Sequence, residues 1–123
     1  MLIYGAASLV HFIHNAEFLA AYPNMPSWLS RADVYVAWLG LTSIGVLGYA
    51  LAAFGYRLLG LSVVVVYAAL GMDSLGHYVV APMSAHTTAM NLTIVLEVTT
   101  AAVLLIKSLS LIARSILASA RST

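Results

Sequence analysis

The stretch Leu58–Ala81, LLGLSVVVVYAALGMDSLGHYVVA, decides how this chain folds. It is apolar almost throughout, and at about 1.5 Å per helical residue it is long enough to cross the hydrocarbon of a bilayer. A surface helix of a soluble domain would carry a polar face along its length. Here the ionisable groups Asp73 and His77 are gathered near one end instead. The stretch reads as a membrane span with a polar site in one half.

Working outward, three further stretches read the same way, at about 2–21, 34–54 and 86–107. The breaks between them agree. Pro23-Asn24-Met25-Pro26-Ser27 ends the first span, Gly55-Tyr56-Arg57 turns the chain after the second, and Ala81-Pro82-Met83-Ser84 ends the third. Composition supports the class: 63% of residues are hydrophobic, 7% are charged, and the mean hydropathy is +1.00. Soluble domains carry about 25% charged residues. These values exclude an ordinary cytosolic domain and a disordered chain. A net charge of +1 gives no basic stripe for nucleic acid. With no cysteine, thiolate metal sites, disulfides and a cysteine nucleophile are excluded. The expectation is one all-α domain over 1–123, a four-transmembrane-helix bundle whose tail, 108–123, continues the last helix amphipathically into the interface. The first stretch lacks a basic leader, and its apolar run is interrupted by His11, His14 and Glu17, so it reads as a retained span.

Arg57, Lys107, Arg114 and Arg121 fall on one side of such a bundle and Arg31 alone on the other. The positive-inside bias then places both termini in the cytoplasm, with the 22–33 and 81–85 loops outside. An integral protein of a bacterial inner membrane is the expected setting.

Ionisable residues inside spans cost about 2.5–3.5 kcal/mol each by insertion scales and usually mark a site. His11, His14, Glu17, Asp73, His77 and Glu97 all fall within spans, and His86 sits at the start of one, where it reads as a solvated loop residue. Counting inward at the helical rise, Glu17, His77 and Met90 share one level. His14, Asp73 and Thr93 share the next, and His11 and Glu97 lie deepest. All fall in the outer half, which implies a polar cavity that opens outward and is floored by His11 and Glu97. Tyr35, Trp38, Thr42 and Tyr49 recur at helical spacing on the second span and read as an aromatic wall. Taken singly, each polar residue also has a structural explanation. Asp73 can act as glue between helices, and Gly40, Gly45 and Gly48 permit close helix approach.

The strip His14-Asn15-Ala16-Glu17-Phe18, with Tyr22-Pro23-Asn24-Met25-Pro26-Ser27-Trp28-Leu29-Ser30-Arg31 after it, resembles the small bacterial membrane proteins named for an HXXEE motif. Met72-Asp73-Ser74-Leu75-Gly76-His77 resembles the second histidine region of that family. The second glutamate of the motif is Phe18 here. A weaker likeness, in His11-Phe12 through Glu17-Phe18 and the Pro-rich loop, is to the DoxX-like four-helix membrane proteins. The resemblance implies the four-helix layout and singles out His14, Glu17 and His77. It implies no reaction.

Two chemistries suit these residues. Carboxylates and imidazoles in a low-dielectric pocket suit proton transfer. A bilayer-embedded pocket suits a small lipophilic substrate, which points to isomerisation, cyclisation or epoxide opening of a terpenoid, sterol-like or polyketide molecule. In that reading Glu17 and Asp73 are the acid and base, His14 and His77 orient or relay, and Glu97 with His11 is a second acid or a cation-stabilising floor. Tyr35, Trp38, Tyr49, Met90 and Thr93 then line the substrate. Alternatively His14, Glu17, Asp73 and His77 hold a divalent zinc, iron or manganese ion. Haem binding, proton handling, a place in a larger membrane complex and homo-oligomerisation are further readings.

Overall fold

Helix starts and stops follow the capping and punctuation residues. In this computed structural model, which describes residues 1–121, all regular structure is helical. Helix α1 spans Leu2–Glu17 and runs through a 3-10 turn, Leu19–Ala21, into an irregular loop. Ser30 caps α2 (Arg31–Ala53): its hydroxyl accepts the Asp33 N–H, and the Asp33 carboxylate accepts the Ser30 N–H in return. Gly55, at a φ of 95° open to glycine, turns the chain into α3 (Arg57–Leu70). A 3-10 segment, Gly71–Leu75, then leads to α4 (Gly76–Val80). After a second 3-10 turn at Met83–Ala85, Thr87 caps the long α5 (Thr88–Ala120) by accepting the Met90 N–H.

Three helical stretches, Arg31–Ala53, Arg57–Val80 and Thr88–Ala120, are long and apolar enough to cross a membrane, and they mark the chain as a membrane protein. Their outer faces carry exposed Val36, Leu47, Val66, Val79, Leu92 and Ile106, the surface a bilayer covers. Helix α1 has 16 residues, about 24 Å at the helical rise against a hydrocarbon core of about 30 Å. The break expected near Ala21 comes earlier, at Glu17, with a 3-10 turn over Leu19–Ala21. The tail expected over 108–123 continues the last helix without interruption as far as Ala120, and its residues 122–123 lie outside the described residues.

Helix α2 packs on α3, α3 on α5, and α1 on both α5 and α2. Apolar attraction between helices is weak in lipid, so close backbone approach takes its place. At the α2–α3 crossing a Cβ on Gly60 would run into the backbone of Ala52 and Gly48, and one on Gly48 would meet the Gly60 carbonyl at 3.0 Å. Gly45 makes room for the Tyr67 ring. Gly40, expected to serve the same purpose, has nothing within 4 Å of its Cβ position and lies on the exposed face. Behind this crossing Tyr4, Tyr67 and Ala101 form the buried core, with Met72 and Leu104 packed against it.

The loop between α1 and α2 is tied down rather than free. Asn24 takes a φ of 56°, a left-handed conformation that asparagine tolerates, and donates through its side chain to the Val80 carbonyl at 3.1 Å. That bond folds the loop over the end of α4 and closes one end of the bundle, termed here the loop end.

Gly60→Ala and Gly40→Ala separate crossing from propensity. The first forces two backbones apart and is expected to destabilise by about 1–3 kcal/mol. The second meets nothing and gains up to about 1 kcal/mol of helix propensity. Unfolding curves in mixed detergent micelles measure both.

Candidate functional site

Below the loop end lies a cavity of about 290 Å³ between α1, α2, the 3-10 break and α5. His11, Asn15, Asp33, Asp73, Ser74, His77 and Glu97 form its polar lining, and Phe12, Met25, Leu29, Val34, Ala37 and Leu41 form much of its apolar lining.

Three helices supply most of the polar side, each for a local reason. On α1 the buried face runs through Tyr4, Ala7, Ser8, His11 and Asn15, a repeat of three and four that keeps one side of the helix inward. On the Arg57–Val80 stretch the 3-10 segment tightens the repeat to about three residues. Gly71, Ser74 and His77 then follow one line. Gly71 meets the Tyr4 ring, Ser74 donates to Glu97 Oε2 at 2.5 Å, and His77 Nε2 accepts from Asn15 Nδ2 at 3.3 Å. On α5, Met90, Ile94, Glu97 and Ala101 form the buried stripe.

His11 and Glu97 are the deepest ionisable groups, 2% and 1% exposed, and their Nε2 and Oε2 atoms are 3.7 Å apart. Their neighbours fix the protonation pattern. Thr93 Oγ1 donates to the Met90 carbonyl at 3.0 Å, so its oxygen is left to accept from His11 Nδ1–H at 3.3 Å. With the imidazole proton held on Nδ1, the bare Nε2 faces the Glu97 carboxyl. A lone pair and a carboxylate facing each other away from water repel unless a proton lies on one of them. At 3.7 Å the two atoms stand just beyond hydrogen-bond distance, and the arrangement calls for a proton on one of the facing groups. The His77 ring packs edge-on to His11 with centroids 5.4 Å apart, so the site continues from the floor toward the loop end.

The expected four-residue cluster of His14, Glu17, Asp73 and His77 does not gather. His11, His14 and Glu17 are steps of three, and each step turns about 60° back around the helix. Two steps swing Glu17 off the cavity side. Glu17 is 41% exposed and binds Arg31 Nη1 at 3.0 Å and the Tyr35 hydroxyl at 2.8 Å, pinning the end of α1 to the start of α2. His14 shares its Nδ1 with the Tyr22 hydroxyl at 2.9 Å and stacks on Phe18. Neither residue lines the cavity. Among the described residues no group of three or more His, Asp and Glu is set to hold a metal ion. Asp73 and His77 do line the cavity, and Asp73 makes no hydrogen bond or ion pair among the described residues.

The expected aromatic wall is also displaced. Tyr35 is taken by Glu17, Trp38 lines outer apolar grooves with Thr42, and Tyr49 is 65% exposed. Val34, Ala37 and Leu41, one residue out of phase with that stripe, face the cavity instead. Met90 is buried as packing, its sulfur accepting the Thr87 N–H, and Thr93 sets the His11 tautomer rather than touching a substrate. His86 is buried, not solvated. Its Nδ1 bonds the Pro82 carbonyl at 3.1 Å and its ring sits against Tyr22, His77 and Tyr78. Asn15 is the lining residue that residue type did not single out. Its place four residues from His11, on the same face of α1, was the available signal.

No family model, no curated protein and no solved structure matches this chain.

Glu97→Ala strands the His11 Nε2 and the Ser74 hydroxyl in the interior, and is expected to destabilise by about 3–5 kcal/mol. Glu97→Gln keeps the volume and hydrogen-bonding capacity, with an expected loss of about 1 kcal/mol or less. Unfolding of the two variants side by side in mixed micelles reads the difference.

Proposed function

We propose that this protein is a membrane-embedded enzyme that performs acid–base chemistry on a small lipophilic molecule held in the cavity. The reaction is an isomerisation, cyclisation or epoxide opening of a terpenoid, sterol-like or polyketide substrate. The observation that carries the reading is the His11–Glu97 pair: an imidazole and a carboxyl 3.7 Å apart, both almost fully buried, set in the wall of a cavity with extensive apolar lining. A pair locked into the protein only for packing would not need to border an open volume.

In this reading the pair is the acid. Its proton goes to an alkene carbon or an epoxide oxygen, and electron deficiency develops on the substrate against the carboxylate left behind. Asp73, an unpartnered carboxylate in the same lining, removes a proton from elsewhere on the substrate. For an isomerisation, a cyclisation or the opening of an epoxide to an allylic alcohol the atoms balance, since one proton is added and one removed. His77 lies one turn from Asp73 and against His11, where it returns the proton to the pair. Glu17 and His14, which the sequence suggested for catalysis, position α1 and the loop instead.

The same proposal places the chain in a bacterial plasma membrane with four spans and both termini cytoplasmic. Helix α1 is supported as the fourth span by its exposed Leu2, Ile3, Val10 and Ile13, and the orientation by the basic residues Arg57, Lys107, Arg114 and Arg121. Cysteines introduced at Asn24 and Ser84 should then react with an impermeant reagent added to intact cells, and one at Ser119 should not. The reverse pattern would turn the cavity toward the cytoplasm.

The catalytic claim is tested in cells that lack the gene. A lipophilic compound that accumulates there should be cleared when the wild type is restored, and not by Glu97→Gln expressed to the same level. Clearance by Glu97→Gln would remove the pair from the chemistry.

A further inference from the structure

The polar lining of the cavity is weighted toward hydrogen-bond acceptors. Asn15 is 8% exposed, its Nδ2 donates to His77, and its Oδ1 is buried without a donor. Asp73, an exposed residue, brings a carboxylate with no hydrogen bond or ion pair among the described residues. Asp33, also in the lining, has its Oδ2 engaged by the Ser30 N–H and hydroxyl, leaving the other oxygen free. Of the donors nearby, the Ser74 proton goes to Glu97 and the His11 Nδ1 proton to Thr93, which leaves the Nδ1–H of His77, whose Nε2 accepts from Asn15. Neither lysine nor arginine lines the cavity, and Arg31, the nearest cation in sequence, is held outside it by Glu17.

From this we infer that the ligand carries a hydrogen-bond donor head, an alcohol or a protonated amine, on an apolar body, and that carboxylate and phosphate heads are refused. The inference rests on the proposed reading of the cavity as a substrate site and specifies the class of molecule that enters it. A buried acceptor without a donor is satisfied when a ligand supplies one. The unpartnered Asp73 carboxylate makes the stronger, charge-assisted bond to an ammonium. An anionic head would instead face three carboxyl-bearing residues with no cation to offset them. The apolar body lies against Phe12, Val34, Ala37, Leu41 and Leu70.

Three probes with one ten-carbon branched chain isolate the head: geranylamine, geraniol and geranic acid. Binding of each to the full chain in lipid nanodiscs is measured near neutral pH by saturation-transfer NMR, with protein-free nanodiscs as the partition blank. The expected order is amine, then alcohol, with the acid at least about tenfold weaker than the alcohol. Asp73→Asn, at a position with no partner to lose, should bring amine and alcohol to within about threefold of each other. Asn15→Leu should weaken the alcohol about tenfold. Equal binding of all three heads, or preference for the acid, overturns the donor-head inference and leaves the cavity as a lipophile site. Absence of saturable binding by all three overturns both.

Discussion

The buried pairing of Glu97 with His11 in the bundle interior constrains most of what surrounds it. An ionised carboxylate alone at that depth would be prohibitive. The chain meets the constraint from three elements at once. Helix α1 brings the imidazole, α5 brings the carboxyl and the Thr93 hydroxyl that orients the imidazole, and the 3-10 break brings Ser74. A regular α-helix through Gly71–Leu75 would turn Ser74 away from the line of Gly71 and His77. The irregular segment and the buried acid therefore belong to one arrangement, and a mid-helix 3-10 stretch at a functional position is a recurrent device.

The architecture away from the cavity has a different basis. Helices α2 and α3 meet backbone to backbone through Gly48, Gly60 and Ala52, and the Tyr4–Tyr67 contact fills the space behind them. The half of the bundle near the Gly55 turn is thus a packed scaffold of small and aromatic residues. The half near the loop end holds the polar groups and the open volume. Glu17 with Arg31 and Tyr35, and Asn24 with Val80, fasten the loop across that end, so the cavity is framed without a long lid.

The coarse layout was legible in the sequence because hydropathy and punctuation act over many residues. The spans over 34–54, 58–81 and 86–107 each correspond to a helix or helical stretch long enough to cross a membrane. Counting depth along antiparallel helices correctly put His11 level with Glu97, since that count uses only the helical rise. Which way a side chain turns was harder to read. The stripe of Tyr35, Trp38 and Tyr49 and the stripe of Val34, Ala37 and Leu41 fit the same period, and on a helix apolar all round nothing in the sequence favours one over the other. The HXXE spacing of His14 and Glu17 looked like a shared ligand set, yet drift around α1 sends Glu17 to Arg31. Asn15 passed unremarked because its importance lies in contacts with His77 on another helix, which no local spacing records.

The central claim, one proton held jointly by Glu97 and His11, is open to direct counting. Infrared difference spectra of wild type against Glu97→Gln report the carboxyl, and ¹⁵N NMR of the labelled histidines reports His11, both in the same lipid preparation. Across the neutral range two protons are expected on the two residues together, one fixed on His11 Nδ1 and one lying between His11 Nε2 and the Glu97 carboxyl. A Glu97 carboxylate alongside a His11 with bare Nε2, or a protonated carboxyl alongside a doubly protonated imidazole, would contradict it.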